Sequence, residues 1–75
     1  MTRTVYRYVA HTIRHAPESR VAFEAFCVAD GCVAESGARD EQAGAQDWAL
    51  GHSGRTGHDL FRRVVTDHAR VTRDE

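Results

Sequence analysis

Cys27 and Cys32, followed at a distance by His52 and His58, constrain this chain more than any other feature. The pattern is C-x4-C-x19-H-x5-H. Two close pairs of soft and borderline ligands suit one tetrahedral zinc ion, because zinc takes thiolate sulfur and imidazole nitrogen without a geometric demand of its own. The spacing within each pair lies in or near the range that zinc sites use. The central spacer is longer than that of the common ββα finger, so equivalence with DNA-reading fingers does not follow.

The length makes a staple useful. Seventy-five residues read as one domain, residues 1–75. A chain of this size buries only about 60% of the surface its unfolded form exposes. Below roughly 70–80 residues a core needs metal, disulfides or oligomerisation. Large apolar residues are scarce, with three Phe, two Tyr, one Trp and one Met. A structural zinc ion contributes about 10–16 kcal/mol in small finger peptides, comparable to the stability of an ordinary domain.

No stretch approaches the roughly 20 apolar residues of a membrane span. The start, from Met1 to Arg7, has no apolar run and no cleavage site of a secretory leader. A cytoplasmic location is the expectation, and there a cysteine pair reads as metal ligands before it reads as a disulfide. The remaining alternatives are two buried cysteines packed as small hydrophobes beside two surface histidines, or a redox pair. C-x4-C is not the C-x-x-C of redox sites.

Along the chain, Thr4 to His15 reads as a first strand and Ala16-Pro17-Glu18-Ser19 as a turn. A second strand runs from Val21 to Cys27. Ala29-Asp30-Gly31 turns tightly between the cysteines, and Val33 to Ser36 reads as a short return strand. Asp40 to His52 reads as a helix, capped by Asp40 or Ser36, with Ala45, Trp48 and Ala49 facing inward. Leu60 to Val71 fits either an amphipathic helix or a strand. The β-branched run Val64-Val65-Thr66 favours a strand paired with the first. The expected class is therefore α+β: a small antiparallel sheet with one helix, zinc-finger-like, its N-terminal strand pairing with a C-terminal one. His11, His15 and His68 fall on strands and read as surface residues.

The run Cys27, Cys32, Glu35-Ser36-Gly37, Trp48-Ala49-Leu50-Gly51-His52, Thr56-Gly57-His58 and Phe61-Arg62 resembles a family of small actinobacterial proteins of Streptomyces type, grouped as a domain of unknown function. The resemblance spans Tyr6 to Arg73, and W-x3-H-x3-TGH is its most specific part. It implies a soluble, zinc-finger-like, stand-alone protein. It implies no catalytic residue and no partner.

Three function classes remain. Catalytic zinc keeps three protein ligands and an open position, whereas four ligands are present here. The deaminase, H-E-x-x-H, P-loop and dinucleotide signatures are absent, so no enzyme is expected. The net charge of −1 provides no global field for nucleic acid, and the helix segment Asp40 to Asp47 is acidic. All ten basic residues are Arg. Of these, Arg7, Arg14, Arg62 and Arg70 could share a sheet face able to hold RNA or single-stranded DNA. The favoured reading is a protein-interaction or regulatory adaptor, a rigid metal-stapled scaffold whose sheet edge takes a partner strand or a second copy.

Overall fold

The computed structural model describes residues 2–6 and 9–74. Its elements run β1 (Thr2–Tyr6), β2 (Val9–His15), β3 (Ala22–Cys27), α1 (Gln42–Thr56), β4 (Phe61–Thr66) and β5 (Ala69–Arg73). They form a three-stranded sheet of order β1-β2-β5 and a two-stranded sheet of β3 and β4. All pairings are antiparallel. The α+β class and the pairing of N-terminal with C-terminal segments are as the sequence implies.

The two sheets are successive stretches of one long ribbon. β2 pairs with β5 up to His15↔Ala69, and β3 resumes against β4 from Ala22↔Thr66. Between them, the longer segment 16–21 stands opposite the two residues 67–68, and the ladder breaks. The Ala16 N–H still donates to the His68 carbonyl at 2.7 Å, and the Ser19 N–H closes the Pro17 turn onto the Ala16 carbonyl at 3.0 Å. Side chains tie the junction: His15 Nδ1 to Asp67 at 3.0 Å, the Ser19 hydroxyl with His68 Nδ1 at 2.6 Å, and an Arg70–Glu18 ion pair.

Several expectations are corrected. The strand expected over Thr4–His15 is a hairpin, with Tyr6↔Val9 as its last pair; even-numbered residues of β1 share a face with odd-numbered residues of β2, and no Gly, Asn or Asp between Tyr6 and Val9 announces the reversal. The strand expected over Leu60–Val71 divides into β4 and β5, which belong to different sheets. Val33–Ser36 forms no strand. It runs beside β3 through Cys27 N–H to the Ala34 carbonyl (3.0 Å) and Ser36 N–H to the Ala25 carbonyl (2.9 Å), with single bridges Phe26↔Glu35 and Phe23↔Arg39. Gly37, at φ 72°, turns the chain out of line.

The helix begins later and ends later than Asp40–His52. Neither expected cap is available. The Ser36 hydroxyl accepts from the Ala25 N–H at 2.9 Å, and Asp40 pairs with Arg20 at 3.0 Å. Glu41 occupies the N-cap with no side-chain bond. At the other end, Gly51 and Gly54 do not stop the helix, since tertiary anchoring overrides their propensity cost of about 1 kcal/mol each.

The apolar interior is thin. The buried hydrophobic residues among those described are Ala16, Ala25, Cys27 and Ala45, and no large side chain is fully buried. α1 lies against β3, where Ala25 and Ala45 permit close approach. Among the described residues, no other element makes extensive contact with the β1-β2-β5 sheet. The radius of gyration is 17.7 Å, against about 11 Å for a compact chain of this length.

Candidate metal centre

Four elements deliver the four predicted ligands to one point. β3 ends at Cys27. The Cys32 N–H donates to the Ala29 carbonyl at 2.9 Å, and Gly31 at φ 75° completes a knuckle that returns Cys32 towards Cys27. His52 projects from α1 one turn after Trp48. Gly57 then ends the helix at φ 78°, its N–H bonded to the Ser53 carbonyl. That left-handed terminus is the position glycine takes after a helix. The Thr56 hydroxyl donates to the His52 carbonyl at 2.7 Å and accepts from the His58 N–H at 3.1 Å. This clamp turns His58 back towards His52.

The ligand atoms of Cys27, Cys32, His52 and His58 all lie within 4.8 Å of one another. Cys27 Sγ is 3.5 Å from His58 Nδ1, and Cys32 Sγ is 3.5 Å from His52 Nε2. Zinc bonds of 2.3 Å to sulfur and 2.0–2.1 Å to nitrogen, at tetrahedral angles, require an S···N edge of about 3.6 Å. The spacing matches that edge. Donor set and geometry both fit one tetrahedral ion.

Electrostatics point the same way. Burial pushes the Cys27 thiol above its ordinary range; the Ala29 backbone N–H opposes this, and neighbouring Cys32 adds to the rise. A divalent cation would offset that rise by stabilising the thiolate form of both cysteines. The cysteines are free, with Cys27 buried and Cys32 partly exposed.

Aromatic rings wall the site. Trp48 stacks on His52 with centroids 5.1 Å apart and planes at 13°. Phe61, cross-strand from Cys27, meets both rings edge-on at 5.9 and 6.0 Å. Trp48 is half-buried, and its work is to orient His52. Such supporting residues fix ligand direction and tune affinity. In the sequence Phe61 belongs to the strand-or-helix segment and to the family-resembling run, with no role at the ligands; its place beside them depends on the Cys27↔Phe61 register, which no short-range pattern encodes.

The basic residues do not converge as the ligands do. Arg14 and Arg70 are cross-strand partners on one face of the β1-β2-β5 sheet. Arg62 lies in the other sheet, its guanidinium 4.3 Å above the Phe26 ring. Arg7 and Tyr8 lie outside the described residues. Beside the metal centre, between α1 and β4, opens a cleft of about 720 Å³ whose walls include Phe23, Ala49, Leu50, Leu60 and Val65, with Arg63 and Asp59 at its polar margin. None of the four ligands lines it.

A family model described as a domain of unknown function, DUF7848, matches residues 1–75. The chain belongs to the DUF7848 family. No curated protein and no solved structure matches it. As a DUF7848 member the chain gains a family but no assigned activity. No helix among the described residues is long and apolar enough to cross a membrane.

Proposed function

We propose that this DUF7848 protein is a small zinc-binding module that works by binding another protein and catalyses no reaction. The observation that carries the reading is the four-ligand cluster, its ligand atoms within 4.8 Å of one another and two of its S···N distances at the tetrahedral edge length. A sulfur and nitrogen set of this kind suits zinc over harder cations. Filling all four positions from the protein is the pattern of a structural ion, since a catalytic one keeps a position for water or substrate. The distribution of arginine supports a protein partner over nucleic acid. Arg20 is paired with Asp40 and Arg70 with Glu18, so basic and acidic groups interleave where a phosphate-tracking surface would present bare cations.

Metal content by native mass spectrometry, with and without chelator, tests this on untagged protein. One zinc per chain is expected, lost together with the folded structure around α1. A metal-free chain that keeps a native-like NMR spectrum would overturn the reading.

A further inference from the structure

Among the described residues the sheet β1-β2-β5 has no covering layer, and its register sorts its side chains. Cross-strand pairs share a face. His11↔Arg73, Ile13↔Val71 and His15↔Ala69 therefore stand on one face, joined by Val9 at alternate spacing along β2. Ile13 is 40% exposed and Val71 58%. The opposite face is occupied by polar contacts of its own: Thr12, buried and bonded to Asp74 at 3.0 Å, and the Arg70–Glu18 pair.

We propose that a second copy of this chain covers the Val9, Ile13 and Val71 face, around a two-fold axis along the Ile13–Val71 row. The proposal builds on the reading of the chain as an interaction module and names its partner. Surface area argues for it first. The chain exposes 5828 Å². A folded monomer of its 8.4 kDa mass exposes about 4,600 Å². The excess, about 1,200 Å² per chain, comes from the extended shape of the whole chain; the uncovered sheet faces contribute to it and leave apolar area for a second copy to bury, where a standard interface takes about 800 Å² per partner. Charge argues for it second. Arg73 stands two residues to one side of Val71 and has no ion-pair partner among the described residues. On the other side stands His15, bonded to the Asp67 carboxylate. The proposed two-fold reverses the strands and brings Arg73 over the second copy's His15–Asp67 pair, twice per dimer. It keeps Arg73 away from its own mate. Face packing is favoured over edge pairing, because Arg70 and Arg73 on β5 blunt that edge.

The test is light scattering and sedimentation of the zinc-loaded full chain across a wide concentration range, with metal content read on the same fractions. The expected mass is twice 8.4 kDa. Val71→Glu should raise the dissociation constant by more than about 30-fold, the size of a hot-spot loss, with one zinc per chain retained. Arg73→Glu should weaken the dimer as well, and Asp67→Arg added to it should restore association. This charge swap decides the matter if Val71→Glu misfolds. A zinc-loaded monomer at the highest concentration, or a dimer indifferent to both Val71→Glu and Arg73→Glu, overturns the dimer and leaves the metal centre standing. A metal-free dimer that responds to these variants overturns the metal centre and leaves the dimer.

Discussion

In the lobe of β3, β4 and α1, four ligand atoms gather within 4.8 Å and aromatic rings close around them. In the β1-β2-β5 sheet, by contrast, every residue of β5 is exposed and the elements meet only through their ladders. Both regions come from a chain too poor in large apolar residues to fill a core. The difference lies in what replaces the core. The lobe concentrates its order at one point, which a single ion can hold. The sheet spreads its order along a row of hydrogen bonds, and three strands without a covering layer are marginal in water. The lobe should therefore respond to metal, and the sheet to protein concentration.

The largest effect expected is loss of the metal. Chelator, or Cys27→Ser, removes an interaction of about 10 kcal/mol or more, beyond what four small buried residues can offset. Hydrogen exchange at Ala25, Cys27 and the α1 amides should collapse to that of an unfolded chain, while β2–β5 amides change only as far as the junction transmits the loss. Equal collapse of both regions would show one cooperative unit and break the comparison. Protection retained in α1 without metal would break it from the other side.

Next comes Trp48→Ala. Truncating a buried aromatic costs about 3–5 kcal/mol, and half-burial places this one near the lower end. Because Trp48 stacks on His52, part of the cost should appear as weaker metal affinity, about 10- to 100-fold, as for other groups that orient a ligand. A competition titration with a zinc indicator measures it. Unchanged affinity with reduced thermal stability would make Trp48 a packing residue alone.

The candidate metal-ligand cluster is legible in the sequence because ligand chemistry is local. Cysteine and histidine at short spacing announce themselves, and Gly31 and Gly57 mark the turns that aim them. The helix was legible in kind, but its ends were not. Ser36 and Asp40 look like caps until a long-range partner, Ala25 or Arg20, claims each side chain. The sheet was least legible. Thr4–His15 and Leu60–Val71 each read as one strand, since no Gly, Asn or Asp between Tyr6 and Val9 announces a hairpin and only two residues separate β4 from β5. Arg7, Arg14, Arg62 and Arg70 could share a face only if Leu60–Val71 paired with the first strand as one piece. Splitting the strands puts Arg62 over Phe26 in one sheet and Arg14 beside Arg70 in the other.

Ser36→Ala is expected to have an intermediate effect within the lobe. The buried hydroxyl accepts from the Ala25 N–H and donates to the Gly37 carbonyl at 2.8 Å. Its removal orphans a buried donor beside the strand that carries Cys27, at a cost of about 1–3 kcal/mol. Denaturant melts of the zinc-loaded protein should show that loss, with zinc stoichiometry intact. A shift under a few tenths would mean that water reaches the Ala25 N–H.

Thr12→Val sharpens the comparison at its weakest end. The Thr12 hydroxyl donates to the Asp74 carboxylate, and valine keeps the shape while deleting the donor. Asp74 retains its own N–H bond to the Ala10 carbonyl at 2.9 Å, so β5 stays in register and the loss is about 1 kcal/mol. Such a small loss would vanish in a well-packed domain. In the sheet it should appear as about fivefold faster exchange of the β2–β5 amides, with zinc affinity unchanged. Faster exchange in α1 as well would mean that the junction at Ala16 and His68 couples the regions, and that metal and sheet stabilise one another along the whole ribbon.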